Sequence, residues 1–282
     1  MERTIVINAD DFGLCEGVNK GIVQAHTKGV LTSATLMANM PAAQEAVEIA
    51  KGLPNLGVGV HLNLTEGKAI SKGAEVDCIV NSEGEFAFSA SRLALLAILK
   101  GRVRKAIETE LAAQIQWVID KGIKPTHLDS HKHIHSFPVI FPIVCRLAKR
   151  FDIRAIRYVF EPRQICRPPW PASTEKERKN AKLLRTMGKI NRLQDKSFFN
   201  TEALLGVAHT GKIDFSFLRA SALYNPVNVS EIMTHPGFTE GLDKDRTRLV
   251  GERKNELYAL CGERTKQSFN DAGIRLVHYG QL

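Results

Sequence analysis

The chain alternates short apolar runs rich in β-branched residues with longer segments in which apolar residues recur at helical spacing. The short runs predict strands and the longer segments predict helices. The predicted strands are Thr4 to Asn8, Leu31 to Met37, Gly57 to Leu64, Thr126 to Asp129, Ile153 to Tyr158, Ala203 to Ala208, Val229 to Thr234 and Ile274 to His278. The predicted helices cover about 16–28, 41–51, 104–121, 137–150, 174–190, 214–224 and 246–260. Seven or eight such units require a mostly parallel sheet, either closed into a (β/α) barrel or open with helices on both faces.

The residues after the first predicted strand favour the barrel. An open dinucleotide-binding sheet carries Gly-x-Gly-x-x-Gly at this point, whereas this chain has Asn8-Ala-Asp-Asp-Phe-Gly13. We predict a single catalytic α/β domain over 1–282, because one barrel takes about 250 residues and no Pro/Gly/Ser-rich linker divides the chain. Residues 68–102 predict an inserted hairpin or lid, with apolar runs on both sides of Asn81-Ser-Glu-Gly84.

The amino-terminal sequence and the cysteines indicate a cytoplasmic protein. The first residues lead directly into a predicted strand, without a basic leader and an apolar stretch. No apolar run approaches the roughly 18 residues that a membrane span needs, so we expect no transmembrane segment. The five cysteines are scattered and contain no Cys-x-x-Cys pair, a pattern that suits a reducing compartment.

Positive charge is concentrated in one stretch of the chain. Between Arg146 and Lys196, 15 Lys and Arg residues face 5 Asp and Glu residues, within a chain of net charge +9. Such a stretch could bind an anionic or lipid-linked substrate, a membrane surface or nucleic acid. It could equally be the solvated face of an amphipathic helix. That helix would carry four apolar residues on its buried side, Leu183, Leu184, Met187 and Ile190.

Four of the nine histidines lie within residues 127–135, in His127-Leu-Asp-Ser-His-Lys-His-Ile-His135. Neutral imidazole is the commonest protein metal ligand, so this density suggests a metal site. A solvated histidine-rich loop would have the same composition. The run alone leaves both interpretations open.

Polar residues at the ends of four predicted strands favour the metal site over the solvated loop, because the carboxyl ends of barrel strands meet at one face. Each also has an ordinary structural explanation, as a helix cap, a hydrogen-bonded core histidine or a loop residue. Their joint occurrence predicts a metal site of two histidines and one carboxylate with open positions. The residues concerned are Asp10, Asp11, His61, Asn63, Asp129, His131, Glu231 and His235.

Strand alternation assigns roles within this set. In the fourth strand His127, Asp129 and His131 share one side; His131 is nearest the end and is the predicted ligand, with Asp129 orienting a ligand from behind. His133 and His135 follow in the loop and are expected to line the cleft.

Adjacent residues of a regular strand point to opposite faces. We therefore expect Asp11, beyond the last regular residue of the first strand, to bind the metal. Asp10 would then take the proton from the metal-bound water.

Four sequence motifs resemble the YdjC-like carbohydrate deacetylases, the group that includes chitooligosaccharide deacetylase and hopanoid-associated members. The motifs are Ala9-Asp-Asp-Phe-Gly13, Gly59-Val-His-Leu-Asn-Leu-Thr65, residues 127–135 and His235-Pro-Gly237. The resemblance covers residues 3 to about 160 and returns around 229–240, whereas the basic segment of about 161–200 shows no family pattern.

The resemblance implies a deformed (β/α) barrel with one divalent ion, Mg or Zn, that removes the acetyl group of an N-acetylated sugar. Its metal ligands would be Asp11, His61 and His131. By analogy with the wider polysaccharide deacetylases, Asp10 would be the general base and His235 the general acid. Asn63, Asp129 and His133 would support the ligands or line the substrate site.

Other functions share some of these features. A metal-dependent phosphoesterase could use the same ligands, and two histidines with one carboxylate also form the iron site of non-haem oxygenases. A basic glycan-binding or nucleic-acid-binding protein would rely on residues 146–196 and show no turnover, but no recognised nucleic-acid motif accompanies them. We expect an N-acetylated sugar substrate and no nucleic acid partner, and we allow for a homodimer.

Overall fold

Parallel strands form one seven-stranded sheet in the computed structural model, which describes residues 3–244 and 247–282. The order across the sheet is β4-β3-β2-β1-β6-β5, and β7 pairs with the start of β1. The strands are β1 (Thr4–Phe12), β2 (Ser33–Leu36), β3 (Gly57–Leu62), β4 (Leu128–Ser130), β5 (Ala203–Leu205), β6 (Val229–Thr234) and β7 (Arg275–Leu276). All pairings within the sheet are parallel, so the carboxyl ends of the strands point the same way.

The gap between β4 and β5 is spanned by an irregular segment. The strand predicted at Ile153 to Tyr158 is wrong as a regular element, since only Ile156 forms a bridge, with Leu128 of β4. The amide of Leu128 donates to the Ala155 carbonyl at 2.9 Å, and the amide of Leu204 in β5 donates to the Phe160 carbonyl at 3.0 Å. Residues 155–160 thus connect both sheet edges, and the predicted deformed (β/α) barrel is confirmed.

Helices cover the outside of the sheet. They are α1 (Glu16–Lys28), α2 (Ala43–Lys51), α3 (Ala90–Leu99), α4 (Gly101–Asp120), α5 (Phe141–Arg150), α6 (Glu175–Gln194), α7 (Phe215–Tyr224), α8 (Gly251–Cys261) and α9 (Glu263–Asp271). Two of them, α3 and α9, were not predicted. Among the helices that the structure describes, none combines the length and the apolar character that crossing a membrane requires.

The strands supply the centre of the core. Every residue of β1 is buried, as expected for a strand that is covered on both faces. Helix α4 packs against this core through Leu111, Ile115 and Val118. The helices thus cover the outer face of the sheet, and the carboxyl ends of the strands are left to form a functional site.

The insertion at residues 68–102 is less regular than a hairpin. Two isolated antiparallel bridges, Lys68 with Glu85 and Val80 with Phe86, are followed by helix α3. The run from Leu93 onwards has helical spacing, and Ser89 caps its first turn by accepting from the Arg92 amide. Residues 90–99 are therefore a helix rather than part of a hairpin.

Helix α6 carries much of the basic segment but does not bury the residues that its sequence pattern suggested. Leu184 is buried, whereas Leu183 is 55% and Ile190 is 41% exposed. The prediction that all four apolar residues lie on the buried side is wrong for these two. The buried side instead consists of Ala181, Leu184, Gly188 and Asn191, because the helix approaches the Val159 carbonyl so closely that a Cβ on Gly188 would collide with it.

Candidate active site

Asp10 and Asp11 lie inside β1, which continues to Phe12. The expectation that Asp11 lies beyond the strand is therefore wrong, but the strand is not regular there. Its pairing with β2 shifts between Ala9 and Phe12, and Asp11 has a φ of 69°. This left-handed backbone is tolerated by Asp better than by most residues, and it brings both carboxylates close to His61.

Asp11, His61 and His131 form the predicted three-residue group at the ends of β1, β3 and β4. One potential ligand atom from each lies within 4.8 Å of the others. Asp11 Oδ1 is 3.5 Å from His61 Nε2 and 3.0 Å from His131 Nδ1. These separations suit ligands that each lie about 2.0–2.2 Å from one ion.

A second carboxylate lies behind each histidine. His61 Nδ1 donates to Asp129 Oδ1 at 2.7 Å, and His131 Nε2 lies 3.2 Å from Glu66 Oε1. The hydrogen bond to Asp129 fixes the ring of His61 and its tautomer, and a carboxylate beside an imidazole raises the basicity of the nitrogen that faces a metal. Asp129 was anticipated from the sequence, whereas Glu66, in the loop after β3, was missed.

Arg157 connects the carboxylates beneath this group, and the sequence reasoning missed it. Its guanidinium contacts Asp10 Oδ1 at 2.6 Å, Asp129 Oδ2 at 2.7 Å and Glu231 Oε1 at 2.6 Å. Burial would raise the pKa of Asp10, but the charge and hydrogen bonds of Arg157 outweigh it and hold the pKa well below its usual value. Asp10 is therefore ionised at any physiological pH. The signal in the sequence was weak, because the run 153–158 contains two charged residues, Arg154 and Arg157, and nothing in their spacing distinguishes them.

Helix α8 supplies two further buried charged residues that the sequence did not reveal. Arg253 Nη2 lies 2.6 Å from Asp11 Oδ2, and Glu256 accepts from the backbone amide of His235 at 2.6 Å. One helix thus positions both the candidate metal ligand and the candidate general acid.

His235 follows β6 and faces Asp10, with its Nε2 4.0 Å from Asp10 Oδ2. Burial lowers the pKa of His235 to about 4, and the charge of Arg253 contributes, against the opposing effect of Asp10 and Asp11. Its ring is consequently neutral at pH 7, so a proton that it donates must first be gained during the reaction.

The other polar residues predicted for this site have different environments. Asn63 is fully buried, and its side chain binds the loop that carries Glu66, donating to the Glu66 carbonyl at 2.7 Å. His133 lines the cleft. His135 does not line it, because the ring is buried between the Ser130 hydroxyl and the Arg157 carbonyl; that expectation is wrong.

The formal charges of this cluster suit a divalent cation. Five buried carboxylates, those of Asp10, Asp11, Asp129, Glu231 and Glu256, lie with two buried guanidiniums, Arg157 and Arg253. The carboxylates therefore outnumber the guanidiniums. Burial lowers the pKa values of His61 and His131, but their acidic neighbours outweigh it and raise both, that of His131 to about 9. In the metal-free protein the two imidazoles can take up the protons that a divalent ion would replace.

The family model described as YdjC-like protein matches residues 4–271. The chain belongs to this family. It is 35% identical to a carbohydrate deacetylase of Brevibacillus brevis over 99% of both chains. It is 47% identical to a carbohydrate deacetylase of Geobacillus stearothermophilus over 56% of this chain and 61% of that one. A chitooligosaccharide deacetylase of Salmonella typhimurium is 44% identical over 54% of this chain and 58% of its own length.

One solved structure is similar to this chain over its whole length. It is a crystal structure from Enterococcus faecalis V583, named provisionally as a cellobiose-phosphate cleavage protein. The TM-score is 0.77 at 25% identity, and the match covers 100% of this chain and 99% of that one.

The candidate metal group of this YdjC-like protein opens into a cleft of about 1030 Å³. The three metal-group residues, Asp10, His235 and Arg253 all line it. Helix α6 forms part of the opposite lining through Leu183, Leu184 and Met187. The basic segment therefore presents an apolar surface to the cleft, although most of its length is charged.

Proposed function

We propose that this YdjC-like protein is a metal-dependent hydrolase that removes the N-acetyl group of an amino sugar, an N-acetylated oligosaccharide or a glycoconjugate. One observation carries the proposal: Asp11, His61 and His131 converge at the end of the barrel, with a carboxylate behind each histidine. Relatives that match nearly the whole chain are named carbohydrate deacetylases, and amide hydrolysis is chemistry that such a centre supports.

Asp11, His61 and His131 would hold the ion. When bound, it would lower the pKa of a water molecule and polarise the acetamide carbonyl. Of the two metals considered, Mg and Zn, the donor set favours Zn, because imidazole is a good Zn ligand whereas Mg prefers oxygen ligands.

Asp10 and His235 would move the protons. Asp10 is ionised and held in position by Arg157, so it would accept the proton of the attacking water. His235 begins neutral and lies 4.0 Å from Asp10. It would receive this proton from Asp10 and pass it to the nitrogen of the departing amine. Such a relay accounts for a general acid whose pKa lies near 4.

The wall that α6 contributes favours a lipid-linked substrate over an anionic one. Leu183, Leu184 and Met187 line the cleft, and Leu183 is 55% exposed. Covering an exposed leucine beside a cleft with an apolar group removes apolar surface from water, which makes binding of that group more favourable. We therefore propose that the sugar carries an apolar substituent that lies against α6.

A cytoplasmic location and a homodimer remain predictions. The free state of all five cysteines, Cys15, Cys78, Cys145, Cys166 and Cys261, supports a reducing compartment. Size-exclusion chromatography with light scattering would establish the oligomeric state.

Acetate release is the direct test of the proposed activity. Chelated protein reloaded with Zn, Mg, Mn or Co would be assayed against N-acetylated oligosaccharides, glycolipids and sugar phosphates. We expect acetate from at least one N-acetylated sugar, and loss of both metal and activity in Asp11→Ala, His61→Ala and His131→Ala. Phosphate release without acetate would indicate a phosphoesterase instead, and iron content with oxygen consumption would indicate an oxygenase.

A further inference from the structure

Arg253 is a buried cation in direct contact with the candidate metal group. It projects from α8, is 1% exposed, and its Nε donates to the Leu249 carbonyl at 3.2 Å. Its Nη2 donates to Asp11 Oδ2 at 2.6 Å. A guanidinium held at both positions has a fixed orientation, since its donors lie in one rigid plane.

This contact divides the two oxygens of Asp11 between different partners. Oδ1 faces His61 and His131, whereas Oδ2 is occupied by Arg253. Asp11 can therefore offer a metal only one oxygen without losing a short, charge-assisted hydrogen bond. Binding through one oxygen preserves open positions on the ion for water and substrate.

The third guanidinium nitrogen of Arg253, Nη1, has no hydrogen-bond acceptor among the described residues. This nitrogen is buried. A buried charged donor without a partner is costly, and such groups are rare unless a ligand or water completes them. Arg253 lines the cleft together with Asp10, Asp11 and His235, and its charge lowers the pKa of His235. The residue that carries the unpartnered donor thus lines the candidate reaction site.

We propose that Arg253 contacts the substrate: Nη2 holds Asp11 while Nη1 donates to the acyl oxygen. This inference rests on the proposed deacetylation. When the water oxygen bonds to the acetamide carbon, the π electrons of the carbonyl move to its oxygen and the water proton goes to Asp10. Nη1 stabilises the negative charge on that oxygen. The charge disappears when the electron pair returns, the C–N bond breaks and the nitrogen receives its proton.

An arginine is required because two donors must act in different directions from one rigid group. The single ammonium of a lysine could keep the contact with Asp11, whose carboxylate attracts it, but it could not also supply the donor to the acyl oxygen. Removing a donor to an oxyanion typically lowers kcat by about 10²- to 10³-fold. Loss of the support behind a metal ligand typically weakens metal binding by about 10- to 100-fold.

Arg253→Met and Arg253→Lys test the proposal, with Lys254→Met as the matched control. Lys254 is the neighbouring exposed residue of α8, and its Nζ lies over the Tyr258 ring. Its substitution removes one positive charge without touching the cleft. Folding is checked by circular dichroism, and every assay uses saturating Co²⁺ so that weaker metal binding does not determine the result.

The first readout is the affinity for acetate, which is the carboxylate product of the proposed reaction. Acetate is titrated into the Co²⁺-loaded proteins while the visible absorption of the ion is followed. We expect the affinity for acetate to fall roughly 10- to 100-fold in both Arg253 variants, as loss of a charge-assisted hydrogen bond predicts, and to stay unchanged in Lys254→Met. Arg253→Lys keeps the positive charge beside Asp11 and so provides the result should Arg253→Met fail to fold.

The second readout is kcat with any substrate identified for the wild type. A fall of about 10²-fold or more at saturating metal supports the proposal. Wild-type acetate affinity and kcat in the Arg253 variants at saturating Co²⁺ would overturn it and leave Arg253 a role in holding Asp11 alone. If the wild type hydrolyses no N-acetylated sugar but acetate binding still depends on Arg253, the proposed function fails while the acyl-oxygen site stands.

Discussion

Arg157 donates two hydrogen bonds to Asp10, from Nη1 to Oδ2 at 2.8 Å and from Nη2 to Oδ1 at 2.6 Å. Both residues are buried, and the same guanidinium also contacts Asp129 and Glu231. The candidate general base is therefore part of an ion network that connects three strands, so its chemistry and the stability of the barrel depend on the same contacts.

Replacing Arg157 by Met should destabilise the protein strongly. It leaves three buried carboxylates without their cation, a change that typically lowers the free energy of unfolding by about 3–5 kcal/mol. The control is Arg146→Met, whose pair with Glu108 is exposed and should contribute less than about 1 kcal/mol. Denaturant titration measures both, and equal stabilities of the two variants would contradict the prediction.

The acid side of the activity profile should also change in Arg157→Met. Arg157 holds the pKa of Asp10 low against the effect of burial. Without it, burial raises this pKa, so Asp10 becomes protonated and inactive at a higher pH than in the wild type. Rates measured from pH 4 to 8 should show the acid limb of the pH–rate profile shifted to higher pH. An acid limb at the wild-type pH would argue against Asp10 as the base.

Metal affinity should increase with pH up to about pH 9. In the metal-free protein burial lowers the pKa of His131, but the hydrogen bonds and charges of Asp11 and Glu66 outweigh it and raise it to about 9. The ring must lose this proton before it binds an ion, which gives about tenfold in affinity for each pH unit per proton released. Competition with a chelator from pH 6 to 9 tests this. Affinity that does not vary with pH would refute it.

The same shift affects the stability of the metal-free fold. The pKa of His131 in the folded protein is above its unfolded value near 6.5. The protonated ring therefore stabilises the metal-free fold fully below pH 6.5, and this stabilisation is lost as the pH rises through about 9. Melting temperatures of chelated protein should therefore fall over this interval, and the fall should be smaller in His131→Gln.

Glu66→Gln should weaken metal binding without unfolding the protein. Gln keeps the size of the side chain but cannot act as a charged acceptor for His131, so we expect an affinity about 10-fold lower. Glu83→Gln, at an exposed position within the insertion at residues 68–102, is the charge-matched control. Isothermal titration with Zn²⁺ distinguishes the variants, and equal affinities would mean that Glu66 does not support the ligand.

Leu183→Ser should change substrate preference more than stability. The side chain is 55% exposed, so its loss costs the fold little, whereas a cleft without it offers less apolar surface. We expect KM to rise for N-acetylated sugars with an alkyl substituent and to stay constant for the unsubstituted sugar. Leu193→Ser, on the same helix and 88% exposed, should leave both values unchanged.

The sequence predicted those parts of the fold that depend on local periodicity. Helix α1 and strand β6 have the predicted bounds, because each has a local sequence pattern that matches the element it forms. Residues 153–158 have the same kind of pattern but form only a bridge, since they must span two sheet edges. Helix α6 buried a different side than its leucines suggested, because a glycine sets its closest approach to the backbone.

The candidate site divides in a similar way. Asp11, His61 and His131 were predictable, since polar residues at the carboxyl ends of apolar barrel strands meet at one face of the barrel. Arg157, Arg253 and Glu66 were not, because their partners lie far away in sequence and single charged residues carry no spacing. Asp11 illustrates both cases: its place in the candidate metal group follows from its position in the sequence, whereas its geometry depends on a local irregularity of β1 with φ of 69°.

The position of Arg157 has a consequence for how this protein would lose activity. It lies in the irregular segment where the barrel has few backbone hydrogen bonds, and its side chain connects β1, β4 and β6 across that place. This seam of the barrel, between β4 and β5, is thus closed by the group that also holds the candidate general base, Asp10. Heat or denaturant that opens the seam should disable the enzyme in the same event, so inactivation and unfolding would share one transition rather than occur in sequence.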